Sequence, residues 1–90
     1  GINAGQNNTS DYTTAVGYKA LEANTTGGFN SAFGTNGLRA NTTGSNNTAA
    51  GINSLLSNVT GSNSTAYGFN SLRLSTIEAI PQSGINQDIQ

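Results

Sequence analysis

The chain has 90 residues, three basic and four acidic side chains and a net charge of −1. That allows a single domain and leaves no electrostatic footprint for nucleic acid or an acidic membrane. It contains no His and no Cys, which removes Ser/His and Cys/His nucleophile systems, disulfides and His/Cys metal sites from this chain. Asn, Ser, Thr and Gly together make 48 of the 90 residues, a composition that by itself reads as disorder. A strict internal period argues otherwise.

Residues Gly1–Thr13 read as an imperfect first coil. Gly1-Ile2-Asn3 repeats Gly51-Ile52-Asn53, but Gly1 and Gly17 are 16 residues apart rather than 17, and terminal units of a repeat array are often atypical. The stretch Ala15–Thr26, AVGYKALEANTT, then returns as AFGTNGLRANTT, AAGINSLLSNVT and AYGFNSLRLSTI. Gly17, Gly34, Gly51 and Gly68 are spaced by 17, as are Leu21, Leu38, Leu55 and Leu72, and Ala15, Ala32, Ala49 and Ala66. An uninterrupted period of this kind marks stacked structural units.

Within a unit, Thr14–Tyr18 alternates β-type residues with Ala and Gly and predicts a short strand, repeated at Ser31–Thr35, Thr48–Ile52 and Thr65–Phe69. Ala20–Ala23 is too short to nucleate a helix and reads as a second short strand carrying the Leu. Asn24–Gly27, repeated at Asn41–Gly44 and Asn58–Gly61, reads as a turn in which Asn bonds its own main chain and Gly supplies positive φ. Every unit runs in the same direction, so the expected fold is all-β: a parallel β-roll or β-helix solenoid of about five 17-residue coils over residues 1–77. After Leu74 the register breaks and Pro81 is hard to place in a ladder. Residues 78–90 therefore read as an exit segment toward a following domain, and a start at Gly1 reads as a piece of a longer chain. No apolar run is long enough for a membrane helix, and no signal-like segment is present.

The Leu column is the expected core, with Gly17, Gly34, Gly51 and Gly68 admitting close backbone approach. The columns Val16, Phe33, Ala50, Tyr67 and Tyr18, Thr35, Ile52, Phe69 are apolar but vary in size, which suits a surface or interface. One Leu and two medium apolar side chains per unit bury too little to offset the ordering of 17 residues. Side-by-side association of several chains is the expected remedy.

At this point the residues resemble a family. NSAFGTNGLRANTTGSN (Asn30–Asn46) and NTAAGINSLLSNVTGSN (Asn47–Asn63) resemble the NTAVGYxAL-xxNTTG repeats of phage tail-fibre and bacterial surface proteins. They also look like a longer form of the NSVAIG-type repeat of YadA-like trimeric adhesin heads. The resemblance covers roughly Ala15–Leu74. It departs from the adhesins in the 17-residue unit and in having no stalk or anchor within this sequence. It implies a homotrimer of left-handed β-rolls with apolar columns meeting near a three-fold axis. It further implies a place on a virion or a bacterial cell surface, a host-cell glycan or protein receptor, and no catalytic residue, cofactor or metal.

The remaining chemistry is sparse. Glu22 lies one unit from Arg39 in the same column and is expected to form an ion pair between units. Asp11 and Asp88 read as solvated, and Glu78 as a residue that breaks the repeat. The phosphate loop GxxxxGK[ST] and the calcium nonapeptide GGxGxD are both missing, and no enzyme is expected. Seven Asn-x-Ser/Thr sequons, at Asn7, Asn8, Asn24, Asn41, Asn46, Asn58 and Asn63, read as by-products of the turn repeat. Thr25, Thr42 and Thr76 share one column, and Thr26, Thr43 and Thr60 the next, so an ice-binding solenoid is the rival reading. Adjacent Thr residues face opposite ways, however, and Val59 and Ile77 interrupt the columns. The expected receptor contacts are aromatic: Tyr12, Tyr18, Phe29 and Tyr67, with Phe33 and Phe69 also able to stack on sugars. The expected function is structural and host-attaching, a trimeric rod or head of a fibre.

Overall fold

A computed structural model describes residues 1–10 and 12–74 and the backbone of 81–83. The architecture is all-β, with no helix among the described residues. Thr14–Val16 (β1), Ser31–Phe33 (β2), Thr48–Ala50 (β3), Thr65–Tyr67 (β4) and Pro81–Ser83 (β5) form one sheet in the order β1-β2-β3-β4-β5. Each adjacent pair is parallel. Thr14 lies opposite Ser31, Ser31 opposite Thr48 and Thr48 opposite Thr65, so the 17-residue period is the strand register itself.

The strands are three residues long, shorter than the five-residue alternation predicted. What ends them is the glycine that follows. Gly17, Gly34, Gly51 and Gly68 have φ between 117° and 130°, outside the strand region and strained for any side chain. A Cβ on Gly34 would stand 2.9 Å from the carbonyl carbon of Gly51. The close approach expected of this column is therefore present, but the glycines are half-buried at the rim of the core and are not part of its interior.

Ala20–Ala23 is not a second strand. It is a run of turns in which φ is positive at alternate residues, 61° at Lys19 and 53° at Leu21, repeated as 63° and 50° at Asn36 and Leu38. The amides alternate in the same rhythm. Those of Ala20, Glu22 and Asn24 donate three residues back, to Gly17, Lys19 and Leu21. Those of Lys19, Leu21 and Ala23 donate to neighbouring units, at Ile2, Gly37 and Arg39. Every backbone donor is satisfied without extended geometry, and the winding aims the Leu inward. A left-handed Leu costs roughly 1–2 kcal/mol; burying its side chain returns about as much or more. Leu21, Leu38, Leu55 and Leu72 are at most 1% exposed.

The core is only half apolar. Among the described residues it contains the four Leu, with Ala20, Ala32, Ala49 and Ala66, and equally many fully buried polar residues: Asn24, Asn30, Asn41, Asn47, Asn58, Ser54, Ser64 and Ser71. The amides form ladders. Asn58 Nδ2 donates to Asn41 Oδ1 at 2.8 Å, Asn41 Nδ2 to Asn24 Oδ1 at 2.7 Å, and Asn24 Nδ2 to Asn8 Oδ1 at 2.5 Å. The second Nδ2 hydrogen of each spans its own turn to a glycine carbonyl, Gly27, Gly44 or Gly61. Asn30 and Asn47 form a second row: each donates to the glycine carbonyl of the next unit and accepts from the backbone N–H of Asn47 and Ser64 respectively. The NTTG turn is thus also a wall of the core.

Two irregularities fall in that same turn. In the first unit Asn24 meets Asn8, 16 residues away, whereas the Ser10 hydroxyl donates to the Gly27 carbonyl, 17 away; the missing residue lies within Thr9–Ser10. At the other end Thr65 pairs with Pro81 and Tyr67 with Ser83, again an interval of 16. The sheet therefore continues into the segment read as an exit, and Pro81 is accommodated as the first residue of a strand, where a missing N–H is tolerated. The expectations for Thr76, Ile77, Glu78, Asp11 and Asp88 lie outside the described residues.

Candidate interaction face

The outward side chains of the sheet build a face in columns. Strand alternation sends Ala15, Ala32, Ala49 and Ala66 inward and their neighbours outward. One column is Thr14, Ser31, Thr48 and Thr65. Beside it stand Val16, Phe33, Ala50 and Tyr67, and beyond the glycines Tyr18, Thr35, Ile52 and Phe69, with Ile2 below Tyr18. At the corner preceding the strand lie Tyr12, Phe29, Asn46 and Asn63, all with φ near 60°.

All six aromatic residues of the chain fall in these columns, and their exposure runs from 44% at Phe33 to 75% at Tyr12. Val16, Ile52 and Ile2 are exposed beside them. Scattered single apolar residues need no explanation, but contiguous apolar columns on a sheet do. The core meanwhile takes no aromatic at all, because at each level it has room only for one Leu, small residues and amides.

Each residue expected to contact a receptor is on the surface: Tyr12, Tyr18, Phe29 and Tyr67. The structure divides them. Tyr12 and Phe29 stack on one another, ring centroids 5.1 Å apart and planes within 3°. Tyr18 and Tyr67 belong to the two apolar columns, and the Lys19 ammonium lies 5.2 Å from the centroid of Tyr18, within cation–π range.

Charge is confined to the winding turns. Arg39 Nε donates to Glu22 Oε1 at 3.1 Å, the ion pair between units that the spacing predicts. It is partly exposed and contributes little. Among the described residues no group of three or more His, Cys, Asp or Glu could hold a metal, and no helix is long and apolar enough to cross a membrane.

The turn threonines are engaged by the backbone. The Thr25 hydroxyl donates to the Thr42 carbonyl and the Thr42 hydroxyl to the Val59 carbonyl, both at 3.3 Å. The sequons separate by burial: Asn24, Asn41 and Asn58 are ladder amides with no exposure, whereas Asn7, Asn46 and Asn63 are exposed.

Sequence reasoning missed the amide ladders. Asn24, Asn41 and Asn58 recur as strictly as the Leu column, and that strictness was the available signal; Asn-Thr-Thr-Gly was read for its turn chemistry alone. Comparison with family models, curated proteins and solved structures finds no match for this chain.

Proposed function

We propose that the chain is a structural and host-attachment segment of a fibre: a left-handed β-solenoid of 17-residue coils, three copies of which associate through their apolar columns into a rod or head. It belongs on this reading to a phage tail fibre or an adhesin-like bacterial surface protein, and carries contacts to a host-cell glycan or protein receptor. Its work is mechanical and adhesive, with no catalytic step. The observation that carries the proposal is the placement of all six aromatics outside the core, in columns at strand spacing. A monomer would leave that surface in water; neighbouring copies would cover it and add the apolar burial that a core of Leu and amides lacks. An ice-binding face is less well supported, because the Thr25 and Thr42 hydroxyls already donate to main-chain carbonyls and bulky rings interrupt the sheet face.

Sedimentation equilibrium of the chain tests this. The expected mass is that of three copies, and Phe33→Ser with Tyr67→Ser lowers it to one while circular dichroism stays unchanged. A wild-type monomer at micromolar concentration overturns the trimer.

A further inference from the structure

The trimer leaves one part of the face unaccounted for. The corner column Tyr12, Phe29, Asn46, Asn63 is separated from the apolar columns by the hydroxyls of Thr14, Ser31, Thr48 and Thr65, so it borders the proposed contact instead of continuing it. It holds two highly exposed aromatics, Tyr12 at 75% and Phe29 at 61%. They are stacked along the direction of the units, so Phe29 turns its second ring face toward the next level. There the stack stops: Asn46 stands where a third ring would, with Asn63 above it. Both amides are exposed. In contrast to the bonded amides of the core, the Asn46 and Asn63 side chains carry no hydrogen bond among the described residues, their backbone N–H groups alone being tied to Gly28 and Ser45.

We propose that this corner is a subsite for an uncharged pyranose sugar. The sugar ring continues the stack on the free face of Phe29, and its hydroxyls exchange hydrogen bonds with the amides of Asn46 and Asn63 and the hydroxyl of Thr48. The inference rests on the reading of the chain as a surface-presented rod and names the ligand class for one part of it. Three features select that class. An exposed ring face binds the C–H face of a sugar through apolar contact. Free amides offer donor and acceptor together, as vicinal hydroxyls require. Neither the corner column nor the Thr/Ser column beside it contains a charged residue, so nothing there would compensate the desolvation of a sialylated or sulfated glycan. The backbone is also pre-organised: φ is 59° at Phe29, 59° at Asn46 and 62° at Asn63, with each level bonded to the next, so little ordering is needed on binding.

The probe is an array of neutral and acidic oligosaccharides, followed by calorimetric titration of the best neutral hit. Two variants keep the left-handed backbone: Phe29→Asn, which copies the residue found at the next level, and Asn46→Gly, which removes only the amide. Binding to a neutral hexose-containing glycan is expected, weakened about tenfold by either variant. Sedimentation is run on the same samples. Loss of sugar binding with the assembly mass unchanged supports the subsite. A monomeric wild type that still binds through Phe29 and Asn46 would refute the trimer and leave the subsite standing. The subsite is overturned if no neutral glycan binds at millimolar concentration, if acidic glycans are preferred, or if both variants bind as the wild type does.

Discussion

The two sides of each unit obey different rules. Inward, the residue types hardly change from level to level: Leu at 21, 38, 55 and 72, Asn at 24, 41 and 58, Ala at 32, 49 and 66. Outward, one column passes through Val16, Phe33, Ala50 and Tyr67, and another through Tyr18, Thr35, Ile52 and Phe69. Inside, each side chain is packed or bonded by its own counterpart above and below, so a unit accepts only what its neighbour already has. Outside, the next level sets no such condition, and size and polarity are free to answer to another molecule. Periodicity therefore locates the scaffold, and departure from periodicity locates the binding surface.

This contrast can be broken most severely at the Leu column. Leu38→Asp places an unpaired carboxylate at a fully buried position, and loss of the cooperative thermal transition is expected. A folded variant would mean that the two sides had been assigned the wrong way round. A smaller loss is expected from Asn41→Ala. It strands Asn24 Oδ1 and Asn58 Nδ2 and opens the turn bond to Gly44, costing about 3 kcal/mol in urea unfolding. A cost within experimental error would show that the amides fill space and do no more. The smallest effect should have the opposite sign. A third amide row runs from Asn36 Nδ2 to Asn53 Oδ1 and from Asn53 Nδ2 to Asn70 Oδ1, but Asn36 Oδ1 is buried without a partner and Lys19 occupies the level below. Lys19→Asn should complete the row and stabilise the chain by about 1 kcal/mol.

Much of this was legible in the residues. The period gave the strand register, the Leu positions gave the core, and the 17-residue interval between Glu22 and Arg39 gave their ion pair. The amide core was not legible, because an Asn beside Thr-Thr-Gly satisfies the demands of a turn whether or not its side chain is buried. The conformation of Ala20–Ala23 was hidden for a related reason: alternate inward pointing is shared by a strand and by this alternating turn, and only the sign of φ separates them. Strand β5 was obscured by counting at 17. One residue can be lost from the turn without disturbing the sheet, as in the first unit, and the triplet Gly84-Ile85-Asn86, 16 residues after Gly68, repeats Gly51-Ile52-Asn53 and carried that hint. Of the candidate site, the aromatics were legible as exposed contacts. The pairing of Tyr12 with Phe29 was not, since the one-residue slip between Gly1 and Gly17 concealed that both stand in one column.

The direction of the amide rows has a consequence for how such a chain can change in length. The row through Asn8, Asn24, Asn41 and Asn58 donates toward the N-terminus at every step, while the row through Asn36, Asn53 and Asn70 donates toward the C-terminus. Neither row reverses anywhere along its length, so any unit offers its neighbour the same donors and acceptors that it receives from the other side. Excising residues 30–46 would join Phe29 to Asn47 and leave every column continuous, and duplicating them would do the same. Whole-unit gain or loss is therefore the one class of sequence change that the interior does not oppose, and it would alter the reach of the rod in steps of one strand spacing, ~4.8 Å.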